Sequence, residues 1–349
     1  MQKTNLKALS KDKIKEFVKA QGLPDYRAKQ LIHWIYEKQA ESMENITELS
    51  KELRKKLSDV AYISNLKLLN KQESGDGTEK FLFGLEDGES IESVLIPDDK
   101  RLTLCISSQV GCAMRCGFCL TGRIGFKRNL KAYEIVDQII AVMKITGQGT
   151  RVRGHGITNI VFMGMGEPLL NFDEVVEALH RITEFIGFSK RRITLSTCGI
   201  APRIIELYKK APHVNLAISL NASNDSVRDR FMPINKKYPI KALLDECRKI
   251  KLAYKRLITF EYVIIDGMND KNSDAKNLVR ILKGIPSKIN LIPFNPYEGS
   301  DFKKPSDDRV IEFQDILVKA GISAFIRKSK GQDILGACGQ LKAGYKTKD

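Results

Sequence analysis

"CISSQVGCAMRCGFCLTG", residues 105–122, places Cys105, Cys112, Cys116 and Cys119 within fifteen residues. The last three are spaced C-x3-C-x2-C. The stretch emerges from an apolar run, "LTLCIS", that reads as a strand. It passes directly into a loop with Gly111, Gly117 and Gly122, which can wrap closely around an ion. The thiols therefore sit where a strand ends.

Downstream of residue 100 a strand-then-helix pattern repeats. Further candidate strands are "ITNIVFMG", "RITLST", "VNLAISL", "LITFEYVII", "KINLIPF" and "ISAFIRK". Amphipathic helices such as "KAYEIVDQIIAVMKIT", "NFDEVVEALHRITEFI", "IKALLDECRKIKLAY" and "DRVIEFQDILVKAG" separate them. Strands alternating with helices predict an α/β fold with a parallel sheet. About six such units suit a partial (β/α)6 barrel, although a doubly wound open sheet would give a similar string. In either case ligands bind at the carboxyl ends of the strands. There lie "GMGEP" (164–168), "STCG" (196–199), "SLNAS" (219–223), "DGMND" (266–270) and "FNPYEG" (294–299).

Upstream, three segments read as helices. "SKDKIKEFVKAQG" has Ser10 as N-cap, apolar Ile14, Phe17 and Val18, and Gly22 as a stop. "DYRAKQLIHWIYEKQ" puts Ala28, Leu31, Ile32 and Ile35 on one face, and "SKELRKKLSDV" has Leu53 and Leu57 four apart. "EKFLFGLEDGESIESVLIPDD" then predicts a hairpin turning at Asp87-Gly88. The expected organisation is a basic helical accessory domain (1–75), a β-hairpin linker (76–100), the barrel (101–330) and a C-terminal segment (331–349).

Composition narrows the classes. No run of about 18 apolar residues appears, so no membrane span is expected. The N-terminus has no apolar h-region, which predicts a cytoplasmic protein. Seven cysteines, an odd count in such a chain, favour metal or redox chemistry over a disulfide scaffold. The formal net charge is +16, and residues 1–71 hold 15 Lys/Arg against 9 Asp/Glu. Such a protein is most simply a polyanion binder, with nucleic acid the commonest polyanion.

The three closely spaced thiols lack the second C-x2-C pair of a typical structural zinc site, and no His lies nearby. On a [4Fe–4S] cluster, three thiolates leave one iron open to a substrate or cofactor. C-x3-C-x2-C with Phe118 before its last Cys resembles the radical S-adenosylmethionine superfamily. That resemblance implies one [4Fe–4S] cluster on Cys112, Cys116 and Cys119, with S-adenosylmethionine chelated at the open iron. "GMGEP" is similar to the superfamily's Gly-Gly-Glu loop, which assigns Gly166 and Glu167 to the methionine amino group.

Together, "CISSQVGCAMRCGFC", "FMGMGEP", "LSTCG", "MPINKKYPI", "NLIPFNP" and "GQDILGACGQL" resemble the RlmN/Cfr family of radical adenine methyltransferases over nearly the whole chain. The resemblance implies two S-adenosylmethionine molecules per turnover. One methylates Cys338. The second yields a radical that takes hydrogen from the S-methyl group, and the resulting methylene radical adds to adenine. Cys105 then resolves the protein–RNA crosslink by forming a transient disulfide with Cys338. Glu92 matches the family's proton acceptor, with Glu89 and Glu86 as neighbours in the hairpin. Further cofactor contacts carry over to Ser196, Ser219, Leu220, Asn221 and Asn295. Asn221 stands where the family often has His, and both can donate a hydrogen bond.

The implied substrate is carbon 2 of adenine 2503 in 23S ribosomal RNA and adenine 37 in a subset of transfer RNAs. Both bases should be unstacked to expose the ring carbon. The implied partners include a low-potential electron donor such as flavodoxin or ferredoxin, and the protein is expected to be a monomer. Three alternatives remain: Cfr-like methylation of carbon 8, a glycyl-radical activating enzyme, and a non-catalytic RNA-binding metalloprotein. Cys198 and Cys247 are expected to be structural, and His155 to be an ordinary loop residue.

Overall fold

The computed structural model describes residues 3–147, 149–150 and 156–343; His155 and the last six residues lie outside the described residues. Three helices build the N-terminal module: α1 (Lys11–Ala20), α2 (Tyr26–Ile32), which runs on into one π-helical turn, and α3 (Lys51–Val60). Ser10 and Ser50 cap α1 and α3, each hydroxyl accepting a backbone N–H three residues on. Of the residues read as the apolar faces, Ile14, Val18, Ala28, Leu31, Ile35 and Leu57 are buried in the core, and Phe17, Ile32 and Leu53 are half-buried against it.

Ten strands follow in one sheet: β1 (Lys67–Glu73), β2 (Glu79–Gly84), β3 (Ser90–Asp98), β4 (Arg101–Cys105), β5 (Asn159–Phe162), β6 (Ile193–Thr197), β7 (Asn215–Ser219), β8 (Ile258–Ile264), β9 (Ser287–Pro293) and β10 (Ser323–Ile326). Their order in the sheet is their order in the chain. Strands β1 to β4 pair antiparallel and β4 to β10 parallel.

The six parallel crossovers carry α4 (Ala132–Thr146), α5 (Phe172–Glu184), α6 (Ala201–Lys210), α7 (Ile240–Arg248), α8 (Asn272–Leu282) and α9 (Asp307–Lys319). A doubly wound sheet reverses its strand order at a switch point. This order never reverses, and β10 does not pair back onto β4. The result is the expected partial (β/α)6 barrel, extended at its open edge by an additional strand, β10.

One segment differs from its sequence reading. Residues 67–73 fall inside the stretch read as helical, yet they form β1 against β2. All seven are exposed, so no apolar alternation marks them, and only their pairing makes them a strand.

A buried ion pair docks the helical module on the barrel. Lys7 Nζ lies 2.7 Å from Asp137 Oδ1 on α4, both side chains nearly inaccessible. Arg181 on α5 donates to the Lys7 and Leu9 carbonyls and to Tyr36 Oη. Among the described residues no helix is long and apolar enough to cross a membrane.

Strand alternation then decides what faces the barrel interior. On β8, Tyr262 packs against Phe313 of α9 at 5.4 Å between ring centres, so Ile258, Phe260 and Ile264 also face the helices. Thr259, Glu261 and Val263 face inward.

Candidate active site

The cysteine loop leaves β4 and forms a short ribbon, Gln109–Gly111 against Phe126–Asn129, before the three thiols. Gly111 has φ +75, and a Cβ there would meet the Gly125 carbonyl oxygen at 1.9 Å, so only glycine fits. Cys112 N–H donates to that same carbonyl at 2.8 Å. Cys119 N–H donates to the Cys116 carbonyl at 3.0 Å, and Gly122 N–H donates to that of Cys119. These bonds fold the loop back on itself and hold the three side chains on one small turn.

Cys112 and Cys116 are buried and Cys119 half-buried. Burial raises all three thiols, and Cys116 is raised further by the charges of Cys119, Cys112 and Glu167. Among the described residues, no three His, Cys, Asp or Glu side chains converge as ligands of one ion. A cubane cluster asks for something else, because each thiolate binds a different iron and the sulfurs need not meet at a point. Three soft donors on one loop, with no histidine, fit an iron–sulfur cluster better than zinc.

Beside this loop, "GMGEP" follows β5. Gly166 has φ +102, and a Cβ on it would lie 2.6 Å from that of Gln109. Glycine is therefore required for the turn to approach the cysteine loop. Glu167 is buried, and its carboxylate accepts from Thr197 Oγ1 (2.7 Å), Cys198 N–H (2.7 Å) and Leu169 N–H (2.9 Å). Burial raises its pKa against those hydrogen bonds.

The interior wall carries Ser196 and Ser219, whose hydroxyl oxygens lie 3.4 Å apart. Ser196 Oγ donates to Glu261 Oε2 at 2.9 Å. Leu220 and Asn221 are placed differently. Leu220 is wholly buried with its backbone groups engaged. Asn221, at φ +59, accepts from Val263 N–H and donates to Met232 Sδ. These bonds hold the amide in place and leave one of its N–H groups over.

The C-terminal segment closes the mouth. Asn295 Nδ2 donates to the Cys338 carbonyl (3.2 Å), Leu120 N–H to that of Gly339 (2.7 Å), and Thr121 Oγ1 to that of Leu341 (2.7 Å). Cys338 is open to solvent, yet protein surrounds it closely enough to push its thiol far up. After burial, the charges of Glu261, Cys105 and Cys119 contribute most to that rise. Cys105, on β4, is itself buried and pushed up to about 12, chiefly by burial.

Glu92 on β3 is also drawn in, only 5% exposed. Its Oε2 accepts from Lys342 N–H (2.7 Å) and Ala343 N–H (3.2 Å), while Oε1 pairs with Lys80 Nζ at 3.3 Å. Its two competitors point elsewhere: Glu89 pairs with Lys127, and Glu86 accepts from Tyr62 at the surface.

Two residues in this region, Glu261 and Arg228, escape a sequence reading. Cys198, expected to be structural, lies within electrostatic reach of Cys116 and Cys112, but its thiol is turned to the Glu167 carboxylate. Glu261 anchors Ser196, and its one signal is an acid inside the apolar run "ITFEYVII". Arg228 is wholly buried, although in "SVRDRFMPINKK" it looks like any solvated charge. Cys247 is a core residue of α7, as expected.

The chain's relatives agree with this architecture. Residues 106–279 match the Radical SAM superfamily, and residues 4–63 match the ribosomal RNA large subunit methyltransferase N-terminal domain. The Dual-specificity RNA methyltransferase RlmN of Pelobacter propionicus is 50% identical over 98% of this chain and 96% of its own. That of Geobacter sulfurreducens is also 50% identical, over 97% and 92%. The crystal structure of a radical SAM methyltransferase from Sphaerobacter thermophilus superimposes with TM-score 0.91 at 41% identity, covering 97% of this chain and 99% of that one. With identity of this degree over its whole length, the chain belongs to the RlmN family of radical S-adenosylmethionine RNA methyltransferases.

Proposed function

We propose that the protein methylates carbon 2 of adenine 2503 in 23S ribosomal RNA, and of adenine 37 in a subset of transfer RNAs, through an S-methyl group carried on Cys338. The observation that carries this reading is the placement of Cys338. Its thiol is exposed, its carbonyl accepts from Asn295 Nδ2 at 3.2 Å, and the next carbonyl, of Gly339, accepts from Leu120 N–H beside Cys119 at 2.7 Å. The charges of Cys105 and Cys119 bear on the thiol. The same segment reaches Glu92 through the backbone N–H groups of Lys342 and Ala343, the two residues after Leu341.

Cys112, Cys116 and Cys119 would hold one [4Fe–4S] cluster. Gly166, Glu167, Ser196, Ser219, Leu220, Asn221 and Asn295 would contact S-adenosylmethionine. Bound there, cluster and S-adenosylmethionine would together supply a 5′-deoxyadenosyl radical, with a second S-adenosylmethionine as methyl donor.

The chain's own residues do the rest. Cys338 receives the methyl group and presents it to the ring carbon. Glu92 accepts the ring proton, and Cys105 forms a disulfide with Cys338 that releases the methylated base. The basic helical domain, residues 1–75, binds RNA backbone by phosphate neutralisation. A low-potential flavodoxin or ferredoxin supplies electrons to a monomeric, cytoplasmic enzyme.

The test is anaerobic turnover with a 23S RNA fragment, S-adenosylmethionine and dithionite, with nucleosides read by mass spectrometry. 2-Methyladenosine is expected. 8-Methyladenosine would overturn the regiochemistry, and no methylated adenosine would overturn the function.

A further inference from the structure

Arg228 ends a single helical turn, Asp225–Arg228, in the loop after β7. It is 0% exposed and among the largest wholly buried side chains of the molecule. Its guanidinium spends every contact on neutral oxygens. Nε donates to the Leu220 carbonyl (2.9 Å), Nη1 to Asn235 Oδ1 (2.9 Å), and Nη2 to the carbonyls of Cys198 (2.7 Å) and Ser219 (3.2 Å). Among the described residues no carboxylate lies within ion-pair distance of it. The other cations buried this deeply have such partners: Lys7 has Asp137, Lys80 has Glu92 and Arg181 has Glu177.

Burying a cation without an anion costs several kcal/mol, and neutral donors could satisfy the same carbonyls. The position of the guanidinium shows which anion it serves. Three residues after Arg228, the Phe231 carbonyl accepts the Gly117 N–H at 2.8 Å, inside the C-x3-C-x2-C loop. The Phe118 and Phe231 rings meet edge to face at 5.8 Å. The segment that follows the arginine turn is thus packed against the cysteine loop, and the charges that bear on Arg228 are those of Cys198 and Cys116 and, after them, of Asp225 and Asp229.

We propose that Arg228 is the buried counter-charge of the iron–sulfur cluster and raises its reduction potential by stabilising the reduced, more negative state. The proposal rests on the reading that Cys112, Cys116 and Cys119 hold that cluster. Three thiolates outweigh the two positive charges of an oxidised [4Fe–4S] core, so the assembly is an anion and becomes more negative on accepting an electron. Net charge and surrounding dipoles are established determinants of such potentials. A guanidinium keeps its proton throughout, so it can serve without proton uptake. Arg228 touches no reacting atom. It acts through the cluster loop and is a positioning residue with an electrostatic role.

The test is a redox titration of the reconstituted full-length protein, following the reduced cluster by electron paramagnetic resonance. Arg228→Gln is expected to move the midpoint to more negative potential, whereas Arg228→Lys, which keeps the charge but loses the fork, stays near wild type. If the two variants shift alike, or Arg228→Gln does not shift, the role is structural and the proposal fails. A second measurement needs no variant to fold. The wild-type midpoint is expected to be flat from about pH 6 to about pH 9, because arginine stays charged throughout. A midpoint that falls with rising pH would show that a proton compensates the electron, and would overturn the proposal. Wild-type protein that takes up iron without any cluster absorption would instead refute the cluster reading itself.

Discussion

The Glu92 carboxylate accepts the backbone N–H of Lys342 at 2.7 Å, which joins the hairpin to the C-terminal segment across 250 residues. Ala343 N–H adds a second bond to the same oxygen. Glu92→Ala should therefore speed amide hydrogen exchange at Lys342 and Ala343, because a hydrogen bond to a charged group contributes about 1.5–3 kcal/mol. Glu92→Gln retains an acceptor and should leave that exchange near wild type. Its turnover should still fall by about 10²–10⁴, the usual contribution of a general base. Unchanged turnover in Glu92→Gln would remove Glu92 from the chemistry.

Gly166→Ala should weaken S-adenosylmethionine binding, measured by calorimetry on the reconstituted protein. The added Cβ would sit 2.6 Å from that of Gln109, at a φ of +102 that L side chains rarely adopt. The backbone strain alone costs about 1–3 kcal/mol, or roughly a factor of ten or more if it falls on the bound state. Affinity equal to wild type would show that the turn can relax.

Single replacement of Cys112, Cys116 or Cys119 by Ala should abolish cluster absorbance after reconstitution, while Cys247→Ala should retain it. Cys198→Ser should retain it too, since the Cys198 thiol faces Glu167 and not the open side of the loop. Loss of the cluster in Cys198→Ser would make it a fourth ligand.

The Lys7–Asp137 pair should fix the helical module to the barrel. Removing one partner, as in Lys7→Met, leaves a buried charge alone and should cost about 3–5 kcal/mol by urea denaturation. Burial raises the Asp137 carboxyl to about 6, from an ordinary 3.8. The folded state thus binds this proton more tightly than the unfolded chain. Its contribution is fully present below about pH 4 and fades as pH rises through about 6. The wild-type stability, less that of Asp137→Asn, should fall over that window. A rising difference would mean that the Lys7 charge outweighs burial.

The sequence revealed the barrel well because its strands and helices carry strong periodic signals, and the cysteine loop because its spacing has few other uses. Strand β1 was hidden, since seven exposed residues leave no pattern. Arg228 and Glu261 were hidden for a different reason. A buried charge and a solvated one look alike in sequence, and only the fold shows that Arg228 sits against the Cys198 carbonyl and Glu261 beside Ser196.

The central claim is that Cys338 carries the methyl group. Wild type and Cys338→Ala should be reconstituted anaerobically and incubated with S-adenosylmethionine, dithionite and a 23S RNA fragment, with nucleosides read by mass spectrometry. The account predicts 2-methyladenosine from wild type and none from Cys338→Ala, although the variant still assembles its cluster. Methylation by Cys338→Ala at the wild-type rate would contradict it.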